Sequence, residues 1–208
     1  MEFVWVVPRC ELFAKSTPHG LLALPADELE GRFLATGRDF GFFVERRYAE
    51  TQPELKQVIP YVAVCKGDTV LTLTRLSTQG EKRLHGKRSI GVGGHINPCD
   101  SPDVFPAACL RELHEELVLP DGDLLLTPIG LLNDDTTEVG AVHVGLVYKL
   151  DASDFDVSVR ETSAMAGDFM ALSELEALAA TDDSPFETWS TLLIRSGALR
   201  SCAPATSL

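Results

Sequence analysis

Between Pro106 and Leu119 the chain reads PAACLRELHEELVL, and the period of its apolar residues specifies a helix. Pro106 suits a first helical position, because its fixed φ matches the helix and its missing N–H has no intrahelical partner there. At about 100° per residue, Leu110, Leu113 and Leu117 share one stripe, while Glu112, Glu115 and Glu116 gather on the opposite side. His114 falls nearer the leucines and is predicted to pack with them. One face of this helix is built for a core, and the other is triply acidic.

Charge clusters on helices are mostly solvated faces. Here, however, like charges three and four residues apart repel by roughly 0.2–0.5 kcal/mol per pair, and acids near a helix C-terminus also oppose the macrodipole. A divalent cation would turn that repulsion into attraction. Hard cations such as Mg2+ take carboxylate oxygens, keep several waters and bind through few protein ligands plus substrate phosphates. Arg111, four residues before Glu115, is placed to hold that carboxylate.

The run Gly93-Gly94-His95, then Asp100, then Arg111-Glu112-Leu113-His114-Glu115-Glu116-Leu117-Val118-Leu119 resembles the Nudix box. That signature marks hydrolases of nucleoside diphosphates linked to another moiety. Its usual form is a glycine, five residues, a glutamate, seven residues, then Arg-Glu-aliphatic-any-Glu-Glu-any-Gly-aliphatic. The resemblance implies an α/β chain, the Nudix α/β/α sandwich with a mixed β-sheet, and metal-dependent hydrolysis of a diphosphate linkage in a nucleoside diphosphate derivative or related small phosphorylated substrate. It further implies that Glu112, Glu115 and Glu116 bind Mg2+ or Mn2+, that the Gly94 carbonyl adds a ligand, and that Arg111 orients Glu115. The family often places another acid near the metals, outside the box, and Glu161 fits that position; Glu112 or Glu161 would serve as general base.

Three features depart from the pattern. Asp100 stands where the first glutamate is expected, ten residues rather than seven separate it from Arg111, and Val118 replaces the usual glycine. A β-branched residue resists the left-handed conformation of a helix-ending glycine, so Pro120 and Asp121-Gly122 are predicted to stop the helix instead.

At 208 residues and 45% hydrophobic, the chain can bury one full core. Residues 58–208 read as the Nudix domain, and residues 1–57 as an N-terminal extension packed on it. A net charge of −13 argues against a nucleic-acid polymer, which needs a basic footprint, whereas a small phosphorylated substrate needs only a local one. Five cysteines, at 10, 65, 99, 109 and 202, show no zinc spacing and suit reduced thiols in a cytoplasmic protein. No apolar run approaches the roughly 20 residues of a membrane span. A homodimer is compatible with all of this.

Along the chain, Phe3 to Val7 reads as a strand, and Pro25 to Phe33 as a short helix broken by Gly37 and Gly41. Tyr61 to Cys65, the turn Lys66-Gly67-Asp68 and the run Val70 to Leu73 read as a hairpin. The chain's basic island follows, with Arg75, Lys82, Arg83, Lys87 and Arg88; of these Arg83, Lys87 and Arg88 are expected to meet substrate phosphates. His95, beside Gly94, and His143, beside Gly145 in a predicted strand, are expected to line the substrate pocket, although a lone strand histidine is more often structural. Asp134 and Asp135 are weaker candidates. Two helices are signalled near the end, one opened by the capping box Ser173–Glu176, the other by Ser184-Pro185-Phe186-Glu187 and closed by Gly197. The tail from Ser201 is expected to be disordered.

Two rival readings share the fold. A diphosphate isomerase of the isopentenyl diphosphate type would need an active-site cysteine, for which Cys65 and Cys99 are nearest, and a glutamate. A non-catalytic ligand-sensing module would be expected to lose box glutamates. The intact Arg-Glu-Leu-His-Glu-Glu run argues against both.

Overall fold

Alternating apolar residues draw the chain into β1 (Phe3–Pro8), β2 (Gly20–Ala23), β3 (Phe42–Glu45), β4 (Leu55–Lys66), β5 (Thr69–Arg75) and β6 (Arg88–Ser89). After the box come β7 (Leu117–Val118), β8 (Leu126–Asn133), β9 (His143–Asp151), β10 (Ser158–Val159) and β11 (Met165–Ala171). The helices are α1 (Arg9–Leu12), α2 (Ala26–Glu28), α3 (Ala35–Phe40), α4 (Arg46–Ala49), α5 (Val104–Glu116), α6 (Glu138–Ala141), α7 (Leu172–Ala179) and α8 (Thr188–Ser196). The computed structural model describes residues 1–13, 16–75, 87–122, 124–163 and 165–200. The tail from Ser201 lies outside these, as do Lys82 and Arg83 of the basic island.

Nine of the described strands form one mixed sheet in the order β11-β5-β4-β9-β8-β2, with β6 beside β5 and β1 joining β4 to β3. The central pair, β4 and β9, is parallel, and its neighbours are antiparallel. Residues 1–57 thus contribute three strands to the same sheet that carries the rest of the molecule. The predicted hairpin is β4–β5, and Gly67 at its turn has φ +60, which suits a residue without Cβ.

Alternation along β4 divides the core. Val58, Val62 and Val64 pack toward α5, whereas Tyr61, Ala63 and Cys65 pack toward α7 and α8, so the sheet is covered on both faces. This is the α/β/α sandwich expected from the sequence.

Three local expectations are corrected. The helix after Pro25 does not break at Gly37; a π-helical stretch, Leu29–Leu34, joins α2 to α3, and the run continues to Phe40. Gly37 is buried against Phe105, and an added Cβ would lie 2.6 Å from its ring, so this glycine permits close packing with α5 rather than ending a helix. Helix α7 starts at Leu172, one residue before Ser173, because β11 runs directly into it and the Leu172 N–H bonds the Asp68 carbonyl. Helix α8 starts at Thr188, with Glu187 at its N-cap, because the backbone of Pro185 and Glu187 is already hydrogen-bonded to Arg88. Gly197, at φ +73, closes α8 as read from the sequence. Among the described residues no helix is long and apolar enough to cross a membrane.

Candidate active site

Helix α5 begins two residues before Pro106, with Asp103 at its N-cap, and Pro106 occupies the first turn, where no intrahelical bond requires its N–H. The helix buries Val104, Phe105, Ala108, Cys109 and Leu113. The buried stripe runs through Phe105, Cys109 and Leu113, so Leu110 is left 38% exposed and His114 is exposed rather than packed. Leu117 is buried, but from β7. The helix ends at Glu116, ahead of the predicted stop at Pro120, because Leu117 is already extended and pairs with Val159 of β10.

Arg111 organises the polar face. Its Nε and Nη2 donate to the two oxygens of Asp100 at 2.8 and 3.0 Å. Its Nη1 donates to Glu112 at 2.7 Å and to Glu115 at 3.1 Å, and Nη2 also reaches the His95 carbonyl at 2.8 Å. The fork geometry of a guanidinium is what allows one side chain to join three carboxylates and a loop. Asp100 is buried, and its Oδ2 also accepts the Asn97 N–H at 2.8 Å. These bonds, Asp100 first, raise the Arg111 pKa and keep it charged.

Gly94 lies directly over Glu112. A Cβ at position 94 would sit 2.5 Å from a carboxylate oxygen, so any side chain here would have to displace the Glu112 carboxylate from Arg111. Burial raises the Glu112 pKa above its ordinary value even though Arg111 pulls the other way. Glu115 is exposed and Glu116 is half-buried at the last turn.

The sequence reading missed Arg160. Its backbone N–H donates to the Glu116 carbonyl at 2.8 Å, its Nε to the His114 carbonyl at 2.8 Å, and its Nη2 to the Leu117 carbonyl at 3.1 Å. It therefore satisfies the carbonyls that a terminal glycine would otherwise help to cap. The same segment brings Glu161, exposed in the loop after β10, beside the end of the box helix. No local pattern marks this arginine, and only the pairing of β7 with β10 reveals it.

The donor set on α5 consists of hard carboxylate oxygens, which is the chemistry Mg2+ and Mn2+ require. In the structure Glu112 and Glu115 are drawn onto Arg111, and among the described residues no three metal-ligating side chains already converge on one point. The residues fit a divalent ion in kind, and such an ion would share two of its carboxylates with Arg111.

The expected substrate residues gather elsewhere. His95 and His143, 48 positions apart, meet with their Nε2 atoms 3.3 Å apart. His143 Nδ1 lies 2.7 Å from the Val139 carbonyl, so that nitrogen carries the proton, and His95 Nε2–H donates to His143 Nε2. Burial, then the charge of Arg46, lowers the His95 pKa to about 4, and burial lowers that of His143. His143 alternates with Val144 and Leu146 of the α5-side core, and its strand neighbour Gly145 lies under Trp189 of α8. His95, in the loop between Gly94 and Ile96, is at the same time tied to the box through its carbonyl bond to Arg111. Lys87 donates to the Ser184 carbonyl at 3.2 Å and Arg88 approaches the Met170 sulfur at 3.7 Å, both on the α7–α8 side.

Asp134 and Asp135 belong to a clamp. The fully buried Lys56 Nζ donates to Asp135 at 2.7 Å, to the Gly140 carbonyl at 3.0 Å and to the His143 carbonyl at 3.2 Å, with Arg9 also on Asp135. Asp134 accepts the Thr136 N–H at 3.0 Å. Cys65 is buried toward α7 and α8, across the sheet from the box, and Cys99 lies beside Asp100.

No protein-family model matches the chain. It is 34% identical over 201 residues to Protein YmaB of Bacillus subtilis (strain 168), covering 93% of this chain and 96% of that protein. The crystal structure of Tm1382, described as a Nudix hydrolase, superposes with a TM-score of 0.73 at 29% identity, over 94% of this chain and 97% of that one. The NUDIX domain of Shewanella oneidensis NrtR, solved with ADP ribose, shares the fold at 17% identity and a TM-score of 0.51, over 70% of this chain and 88% of that one. With the box helix, its arginine-centred carboxylates and this sandwich in place, the chain belongs to the Nudix hydrolase family.

Proposed function

We propose that this enzyme hydrolyses a diphosphate linkage in a nucleoside diphosphate derivative or a related small phosphorylated substrate, using Mg2+ or Mn2+ held by Glu112, Glu115, Glu116 and the Gly94 carbonyl. The observation that carries the reading is Arg111 bound at once to Asp100, Glu112 and Glu115, which fixes two of the three box carboxylates on one side of α5. When bound, a divalent ion supplies Lewis acidity toward phosphate oxygens and makes water a competent nucleophile near neutral pH. Glu112, whose raised pKa suits proton acceptance, or Glu161, at the end of the box helix, serves as general base. Arg83, Lys87 and Arg88 would steer substrate phosphates, Lys87 and Arg88 only at long range because they are bonded on the α7–α8 side, and the His95–His143 pair would contact the rest of the substrate at the sheet end. The acidic surface favours a small ligand over a polymer, and the thiols of Cys10, Cys99 and Cys109 suit a reducing, cytoplasmic compartment.

Attack by water is direct in this reading, because the box run contains no serine or cysteine and His114 points to solvent. A screen of nucleoside diphosphate derivatives with each metal, run in water enriched in heavy oxygen, tests it. One heavy atom on a phosphorus-bearing product in a single turnover, with no phosphorylated protein, is expected. Unlabelled isomerised product would favour the isomerase, and binding without turnover would favour the sensing module.

A further inference from the structure

Strand β3 lies at an open margin of the sheet. It pairs with β1, and among the described residues no strand runs along its other side. The direction of its backbone groups follows from its neighbours. The Trp5 N–H bonds the Ile96 carbonyl at 3.0 Å, so Trp5 and the residue opposite it, Phe43, do not bond each other. The Arg46 N–H bonds the Glu2 carbonyl at 2.9 Å, which places Phe42, Val44 and Arg46 on the bonded side. Phe43 therefore turns its N–H and C=O outward, and Glu45 its N–H, while the Glu45 carbonyl opens α4.

This edge is short and ends in a charge, Glu45, but it lacks the stronger protections. Phe42–Glu45 contains no lysine and no proline, and its register with β1 is regular. Around it the apolar exposure is high, with Phe42 43%, Phe40 49% and Tyr48 53% exposed. The flanks are opposite in charge: Asp39 is near the C-terminal end of α3, and Arg47 is in the short helix after the strand, both exposed. Among the described residues neither makes an ion pair within its own chain.

An antiparallel copy of the same strand satisfies all these features at once. A two-fold axis at Phe43 lets the two Phe43 backbones exchange N–H···O=C bonds and lets each Glu45 N–H face a Gly41 carbonyl. It sets Phe42 of one copy against Val44 of the other. Because the pairing is antiparallel, it also turns the flank of each copy that carries Asp39 toward the flank of its mate that carries Arg47, so opposite charges face each other twice. We propose that β3 pairs with β3 of a second copy, giving a homodimer whose sheet is continuous through both chains. Arg46, which bonds Glu2 at 3.0 Å beside His95, would then lie next to the interface and link it to the histidine pair.

Sedimentation equilibrium of the full chain over a dilution series tests the proposal. A dimer is expected. Phe42→Glu should weaken it tenfold or more, about 1.4 kcal/mol. Asp39→Arg and Arg47→Asp should each favour monomers, because each places like charges together at both flanks. Mixing the two single variants should restore a heterodimer, since the arginine introduced in one chain meets the aspartate introduced in the other. A monomer at every concentration overturns the proposal, as does a dimer indifferent to all three substitutions or a mixture that fails to associate. Circular dichroism verifies folding, and if Phe42→Glu does not fold, the mixing experiment decides alone.

Discussion

Arg111 and Asp100 are joined at two points, Nε to Oδ1 at 2.8 Å and Nη2 to Oδ2 at 3.0 Å, with the carboxylate only 3% exposed. Removing the aspartate leaves the guanidinium without its buried partner. Asp100→Ala is expected to cost about 3 kcal/mol of stability, the low end for a broken buried pair because Arg111 keeps some solvent contact. It should also lower kcat, since Glu112 and Glu115 lose their fixed anchor. Chemical denaturation and steady-state kinetics on the same variant check both effects.

Glu115→Gln and Glu116→Gln keep shape and remove charge. Each is expected to lower turnover by orders of magnitude while the circular dichroism spectrum is unchanged. In the parent, Mg2+ or Mn2+ should raise the melting temperature, because a ligand that binds only the native state stabilises it. That increment should shrink in both variants. A parent melting curve indifferent to metal would count against the assigned ligands.

Arg160→Ala should act on the box from outside it. Its side chain satisfies the carbonyls of His114 and Leu117, and their loss of partners is expected to cost about 1–3 kcal/mol. The end of α5 that carries Glu116 should fray, so kcat should fall more than KM rises. Arg160→Lys, which retains a donor, should recover part of the loss. Amide exchange at the last turn of α5 gives a direct reading of the fraying.

The clamp between Lys56 and Asp135 sets an acid limit. Burial would raise the Asp135 pKa, but the bonds from Lys56 and Arg9 outweigh it and hold the group below its ordinary value. A lowered folded-state pKa stabilises the protein above the unfolded pKa, near 3.8, and that stability is lost as pH falls through the folded value. Asp135→Asn is expected to destabilise by about 2 kcal/mol at neutral pH, with the penalty vanishing in strong acid. Denaturation midpoints of parent and variant should therefore converge as the pH is lowered.

Much of the fold was legible because its signals are local. The β4–β5 hairpin, the box helix and the Gly197 cap each rest on a few adjacent residues, and so did the Arg111–Glu115 spacing. What escaped was set by distant partners. The ends of α5, α7 and α8 are fixed by β10, Asp68 and Arg88, none of which a helical period contains. His95 and His143 each read as pocket residues from their neighbours, yet their contact with one another is made by the loop after Gly94 reaching the start of β9, which no local pattern shows. Gly37 looked like a breaker because its freedom was visible and Phe105 was not.

The join between β7 and β10 also bears on how the enzyme forms. Arg160 reaches back 46 positions to His114 and 43 to Leu117, so the C-terminal margin of the box closes only through a long-range contact. Loop closure of that span makes such pairing slow compared with helix formation, and it must wait until the chain beyond residue 160 has been made. A nascent chain halted after Leu119 would hold every box residue and a transient helix, yet its glutamates would stand on an unanchored end. In synthesis, activity should therefore emerge well after the signature that encodes it.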